Sequence, residues 1–331
     1  MSGNLKATAI AHPNIALVKY WGKRDEELVL PHQSSLSITL APLQVTTTVQ
    51  FGAKGEQVEL NGRTAQGRER ERVLETIGRV RGLAKLPEGV RVASTGNFPS
   101  SAGLASSAAA FAALSVAARA AAGLPLDVRA SSILARLGSG SACRSIQGGT
   151  CLWRRGRRRD GTDSYAEQVF DAEHWPDLRL LAVVLEAGEK ETSSREGMKR
   201  SVKTSPFYPA WAADAEAEVP RAIERIRDRD LPGLGEIAER NAWRMHAVAI
   251  SSDPALCYFA PATLGLVSAL AIARRGGLAA WFTLDAGPNP FILTDVRHQT
   301  DAERLAREHG AREVTPCNPG GDARLSEDHL F

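Results

Sequence analysis

The chain has 331 residues, 43% of them apolar and 24% charged, the make-up of a globular protein with a buried core and not of a disordered or fibrous one. A formal net charge of +3 is too small to argue for nucleic acid, although a few basic residues suit an anionic small molecule. The four cysteines, Cys143, Cys151, Cys257 and Cys317, show no C-x-x-C spacing, so they predict reduced thiols in a cytosolic protein and exclude a disulfide or zinc framework. The length permits one large domain or two ordinary ones. The longest apolar run, Leu264 to Ala273, is too short to span a bilayer, and no charged-then-apolar segment opens the chain, so a cytoplasmic protein is expected.

In chain order, Ile15–Val18 predicts a buried strand that runs into Tyr20-Trp21-Gly22-Lys23. Ser34–Leu40, Gln44–Phe51 and Gln57–Leu60 alternate polar and apolar residues with the period of a strand, and Asn61-Gly62 predicts a tight turn. Gly67–Arg81 is charged and helical in character; its arginines read as a solvated face, with Arg72 able to turn inward. Val90–Ser94 predicts a strand leading into Asn97-Phe98-Pro99-Ser100-Ser101-Ala102-Gly103-Leu104-Ala105-Ser106-Ser107. From Leu104 to Ala122 the chain is alanine-rich and free of Gly and Pro, which predicts a helix closed by Gly123. Small residues before a helix N-terminus let a phosphate approach backbone N–H groups at the positive dipole end. The competing reading is a tightly packed core helix, and without the Lys of G-x-x-x-x-G-K-[ST] the loop is not a Walker loop.

Ser131–Leu137 predicts a short helix before a second small-residue turn, Gly138-Ser139-Gly140-Ser141-Ala142-Cys143-Arg144. This turn either cradles an anion, with the Arg144 fork on a carboxylate or phosphate, or starts a helix beside a surface arginine. Gly148–Trp153 predicts a strand. The Arg154–Arg159 run then reads as a solvated hairpin tip, since Gly and Asp-Gly mark turns and no aromatic residue is interleaved. Leu178–Leu185 predicts a buried strand, and the polar Glu186–Thr204 stretch a linker or a flap; a boundary here gives domains 1–185 and 186–331. Helices are expected over Trp211–Arg229, Leu234–Ala249, Pro261–Arg274 and Asp301–His309, strands over Ala279–Leu284 and Phe291–Thr294, and a mobile polar tail from Asn318. Asp285, between a strand end and Gly287-Pro288, is either a turn cap or a catalytic carboxylate. The element order predicts an α+β fold.

Asn14 to Asp25, Asn97 to Ala108, Gly138 to Ser145 and Phe282 to Asn289, in that order, resemble the diphosphomevalonate decarboxylase family of the galactokinase–homoserine kinase–mevalonate kinase–phosphomevalonate kinase superfamily. The resemblance runs from about Ala11 to Thr294 and takes in Trp175-Pro176 and Gly197-Met198. It implies a two-domain α+β small-molecule kinase-like fold with an interdomain site, a homodimer, and an ATP- and magnesium-dependent conversion of 5-diphosphomevalonate to isopentenyl diphosphate. It implies Asp285 as base or orienter of the tertiary hydroxyl, Lys23 near Asp285, and Arg144 on the departing carboxylate. Tyr20, Trp21, Gly22, Arg72, Ser139, Gly140, Ser141, Ala142 and Cys143 are implied on the substrate side, with Ser194, Arg195 and Met198 reaching it from the flap. Asn97, Pro99, Ser100, Ser101, Ala102, Gly103, Leu104, Ala105, Ser106 and Ser107 are implied around ATP, with magnesium held by its phosphates and Ser107. His32-Gln33 departs from the family pattern, which usually shows Asn before the serine pair.

The rival readings are a relative that decarboxylates the 5-monophosphate, one that only phosphorylates the 3-hydroxyl, and a non-catalytic nucleotide- or nucleic-acid-binding protein using the Arg154–Arg159 run. The trio Lys23, Arg144 and Asp285 argues against the kinase-only and non-catalytic versions, and does not separate the monophosphate from the diphosphate.

Overall fold

The strands form two large sheets and the short pair Lys23–Asp25 with Leu30–Pro31 in a computed structural model that describes residues 5–98, 106–186 and 192–331. The implied ATP contacts from Pro99 to Ala105 lie outside the described residues. The helices are α1 Gly67–Ala84, α2 Ser106–Ala121, α3 Val128–Gly138, α4 Ser194–Thr204, α5 Tyr208–Arg227, α6 Leu231–Ile250, α7 Pro261–Arg275 and α8 Gln299–Glu308. None of them is long and apolar enough to cross a membrane among the described residues.

The first sheet has six strands in the order Arg324–Ser326, Lys6–Ala11, Val45–Phe51, Val90–Gly96, Glu56–Leu60 and Arg63–Thr64. It is antiparallel except where Glu56–Leu60 runs parallel to Val90–Gly96. Ala9, Val49, Val58 and Val92 from its inner face pack with Ile77 of α1 and the alanines of α2. Because α2 is built from alanines it is buried almost all round and can lie close to the sheet, to α3 and to the 140–145 turn. Gly123 sits at φ +68 and ends α2, as the sequence predicts.

The second sheet has eight strands. Its order is Ala166–Phe170, Thr150–Trp153, Ser35–Ala41, Glu313–Pro319, Leu178–Val184, Phe291–Asp295 and Trp281–Thr283, with Asn14–Val18 paired to Ser35–Ala41. Leu178–Val184 is apolar at every position but Arg179 because both of its faces are covered. Leu180 and Ala182 join the core under α5 and α6, and Leu181 and Val183 join the core under α7 and α8.

Two expectations need correction. The chain beyond Asn318 is not a loose tail. Glu313–Pro319 pairs along Leu178–Val184 and, through Asn318 and Pro319, with Ala41 and Leu40. Arg324–Ser326 then pairs with Lys6–Ala11, His329 hydrogen-bonds Thr8 at 2.6 Å, and Arg91 stacks on the Phe331 ring. The polar 186–204 stretch is also more than a linker: its second half is α4, started by a capping box in which Ser193 and Glu196 bond each other's backbone N–H. That cap explains the acidic Glu196.

The arginine run behaves as the sequence predicts. It joins the antiparallel strands Thr150–Trp153 and Ala166–Phe170. Three of its five arginines are matched by acids, Arg154 with Glu167, Arg158 with Asp160 at 3.1 Å and Arg155 with Glu216 at 3.7 Å.

Candidate active site

Asn14–Val18 and Trp281–Thr283 end side by side, tied by the Thr283 hydroxyl donating to the Ala16 carbonyl at 3.3 Å. The residues just beyond these ends, Lys19 and Asp285, meet with Nζ 2.7 Å from Oδ1. The lysine side chain is 1% exposed and the carboxylate 39%, so a buried ammonium stands behind an acid that opens to solvent. Burial pushes the Lys19 amine below its ordinary value; Asp285 opposes that shift and Arg144 adds to it. The lysine against Asp285 is therefore Lys19 and not Lys23, whose ammonium pairs with Glu26 at 2.6 Å. Beside the pair, burial and the Lys19 charge push buried His246 down to about 4, so its ring is neutral at pH 7. Its Nε2 lies 3.3 Å from the Leu284 carbonyl and fixes the backbone just before Asp285.

Arg144 closes the other wall. It is 2% exposed, with Nη1 donating to the Ser35 hydroxyl at 2.6 Å and Nε to the Asn14 side chain at 3.2 Å. Asn14 in turn donates to Ser145 at 2.7 Å and to the Ser141 carbonyl at 3.1 Å, which locks the 140–145 turn to the strand end. All these acceptors are neutral, so the buried guanidinium keeps a charge that the protein does not cancel by direct contact among the described residues. Tyr20 lies over Gly140 and against Trp153, with ring centroids 4.6 Å apart; any side chain at Gly140 would strike its ring. Gly22 has φ +105 and abuts the Tyr208 phenol, which donates to the Trp21 carbonyl at 3.0 Å and sets the bend.

A cationic rim follows. Arg72 donates to the Gly138 carbonyl at 2.8 Å and stacks on Phe111. Burial, with the charges of Arg195 and Arg68, brings its guanidinium down to about 10. The same two arginines act on Lys23, which burial also lowers. Lys23, Arg68, Arg72 and Arg195 thus face one another across α1, α4 and the strand Lys23–Asp25, a field that an anion would relieve. Arg68, which the sequence predicts on a solvated face, stands one turn before Arg72 on α1. The buried Tyr20 hydroxyl, Trp21 indole N–H, Tyr258 hydroxyl and Arg72 Nε have no hydrogen-bond partner among the described residues, which fits a polar ligand in this region.

The two small-residue turns come together, with the Ser107 hydroxyl 3.4 Å from that of Ser139. Ser106 and Ser107 open the first turn of α2, and Ser139 and Ser141 are half-buried beside it. Four implied contacts are recast by geometry. Asn97 uses both ends of its amide on Pro42 and Gln44, so it anchors the loop. Ala142 is wholly buried in the core of the first sheet. Cys143 bonds the Gly140 carbonyl, and burial pushes its thiol up to about 12, which leaves it inert. Met198 is buried under Trp21, while Ser194 and Arg195 remain half-buried at the start of α4. Among the described residues no group of three or more His, Cys, Asp or Glu side chains could hold a metal ion.

Comparison with known proteins shows the family of the chain. The family described as diphosphomevalonate decarboxylase-like N-terminal domain matches residues 11–166, and the mevalonate 5-diphosphate decarboxylase C-terminal domain matches 180–311. The chain is 39% identical to the diphosphomevalonate decarboxylase mvd1 of Aspergillus fumigatus, over 87% of this chain and 76% of that protein. The solved structure of MDDEF in complex with MVAPP, AMPPCP and magnesium superposes with a TM-score of 0.92 at 39% identity, covering 98% of this chain and 99% of that one. The mevalonate diphosphate decarboxylase of Staphylococcus aureus gives 0.92 at 34% identity, covering 97% and 98%. With two family models along most of its length, a curated relative at 39% identity and a fold shared at a TM-score of 0.92, the chain belongs to the diphosphomevalonate decarboxylase family.

Proposed function

We propose that the protein converts (R)-5-diphosphomevalonate and ATP to isopentenyl diphosphate, ADP, phosphate and carbon dioxide through transient 3-phosphorylation. The observation that carries this reading is the meeting of a solvent-open carboxylate, a buried ammonium and a buried guanidinium hydrogen-bonded to neutral groups among the described residues, Asp285, Lys19 and Arg144. A carboxylate β to a tertiary alcohol loses carbon dioxide with difficulty while hydroxide must leave; phosphorylating the alcohol supplies a leaving group. Asp285 Oδ accepts or orients the hydroxyl proton, and Lys19 holds that carboxylate and faces the charge that develops. Arg144 holds the substrate carboxylate in the plane from which the C–C bond breaks, and no covalent enzyme intermediate is required. Lys23, Arg68, Arg72 and Arg195 take the diphosphate end.

ATP lies over the start of α2, its phosphates against Ser106, Ser107 and Ser139, where a helix N-terminus and hydroxyls suit anionic oxygens. Magnesium fits such a site as an ion carried by the phosphates, since hydroxyl and phosphate oxygens are hard donors. When bound it neutralises the transferred phosphoryl charge. Lys19 and Arg144 come from the 1–185 part and Asp285 from the 186–331 part, which suits a two-domain division with the site between. A cytoplasmic homodimer completes the reading, and sedimentation checks the dimer.

The deciding assay measures ATP-dependent carbon dioxide release with 5-monophospho- and 5-diphosphomevalonate. Release from the diphosphate with stoichiometric ADP is expected. ADP without carbon dioxide, or preference for the monophosphate, overturns the assignment.

A further inference from the structure

Lys19 is the first residue past the Asn14–Val18 strand, so its backbone N–H has left the ladder and needs an acceptor elsewhere. That acceptor comes from α6: Asn241 Oδ1 takes the Lys19 N–H at 2.8 Å. The other end of the same amide donates from Nδ2 to Glu218 Oε2 of α5 at 2.7 Å. Glu218 is a glutamate only 1% exposed, held in turn by Arg240 Nε at 2.8 Å, with Arg244 Nη1 at 3.5 Å. Asn241 itself is wholly buried. An amide between an N–H donor and a carboxylate has one satisfied orientation, because the flipped form sets N–H against N–H and oxygen against oxygen. The carboxylate therefore fixes the amide, and the amide fixes the backbone from which the Lys19 side chain reaches Asp285 Oδ1 at 2.7 Å.

We propose that Glu218 and Asn241 are positioning residues for the reaction: a buried carboxylate–amide relay, charged from the protein surface by Arg240 and Arg244, that sets the Lys19 ammonium against Asp285. A buried glutamate this far from the ligand region is a costly way to join two helices, since taking a carboxylate out of water must be offset by its partners. α5 and α6 already share an apolar seam through Ala215, Val219, Ala222, Leu234 and Ala238. Helix cohesion alone thus gives no reason for a charge there, whereas a fixed polarity for Asn241 does. Glu218 touches no substrate in this account and acts only through Asn241 and Lys19.

The inference rests on Lys19–Asp285 being the reaction centre, so the wild-type carbon dioxide assay is run first; its failure removes the functional reading and is distinct from failure of the relay. The test then compares Asn241→Asp, Glu218→Gln and the double variant. Asn241→Asp keeps an acceptor for the Lys19 N–H but sets two carboxylates against each other. Turnover should fall by about 10–100-fold, the scale of a small misplacement of a catalytic group, with the Michaelis constant for ATP within about threefold of wild type. Glu218→Gln should be the milder change, because its amide oxygen can still accept from Asn241. In the double variant the donor and acceptor are exchanged between the two positions and the local charge is unchanged. It should melt near wild type and regain most of the lost turnover. A purely structural pair would show its defect in melting temperature with turnover per folded molecule unchanged. A folded Asn241→Asp enzyme with normal turnover overturns the proposal. So does a folded double variant no faster than Asn241→Asp, and this arm decides the matter if the single variant does not fold.

Discussion

Two arginine-bearing regions look alike in the sequence and differ in the fold. The Arg154–Arg159 run is the densest positive stretch of the chain, yet Arg154, Arg155 and Arg158 each meet a glutamate or aspartate at the protein surface. Arg144 and Arg72 stand singly, buried or half-buried, and among the described residues hydrogen-bond a serine hydroxyl, an asparagine oxygen and a carbonyl. Surface pairs are worth little and are screened by salt. A buried cation with neutral partners keeps its field for an incoming anion. What sets Arg144 and Arg72 apart is that no ion pair ties either to a carboxylate among the described residues, a property of the fold and not of local sequence density.

That contrast is broken most severely at its anionic counterpart. Asp285→Asn keeps shape and removes basicity, so turnover should fall by about 10²–10⁴-fold while affinity for the diphosphate substrate changes little. Carbon dioxide and ADP formation should fall together, because phosphorylation comes first; near-normal turnover in a folded variant would refute the role of Asp285, and a large drop in melting temperature would favour turn capping. Arg144→Gln tests the buried cation directly. Losing a charged hydrogen bond to the substrate carboxylate costs roughly 1.5–3 kcal/mol, or about 10–100-fold in kcat/KM. Equal loss for an analogue lacking that carboxylate would show that Arg144 does not hold it. Ser107→Ala should cost at most a similar factor, expressed through ATP, and unchanged kinetics toward ATP would remove the hydroxyl from the phosphate site. At the far end of the scale, Arg154→Ser with Arg155→Ser should leave turnover within about twofold, since each exposed pair contributes about 0–1 kcal/mol. A large loss in a steady-state assay would bring the hairpin into the site.

Strands such as Ser35–Ala41, Val45–Phe51 and Leu178–Val184, most helix positions, and Asp285, Arg144 and Ser107 as candidates are legible in the sequence because local period, turn chemistry and the family motifs all act over short stretches. The choice of Lys19 over Lys23 is not. Both follow the same strand within five residues, and only the arrival of Thr283 beside Ala16 decides which lysine faces Asp285. Asn241 and Glu218 act on a residue more than 190 positions away in sequence, so no spacing announces them. A faint signal exists: Asn241 interrupts the apolar stripe of α6 between Ile237, Ala238 and Met245, where a polar side chain must find a buried partner. The Glu313–Pro319 strand is hidden for a different reason. Pro316, Asn318 and Pro319 are poor strand formers, and pairing with buried neighbours on both sides overrides that preference.

That strand also carries a consequence for the order of events during synthesis. The second sheet joins Ser35–Ala41 to Leu178–Val184 only through Glu313–Pro319. The segments that bring Arg144 and Asp285 can each begin to collapse as they emerge, but the strand that links them emerges after both. On a ribosome adding about 5–20 residues per second, the nascent protein spends some seconds with the edge of Leu178–Val184 open. That edge is then a hazard for pairing with other chains until Glu313–Pro319 covers it.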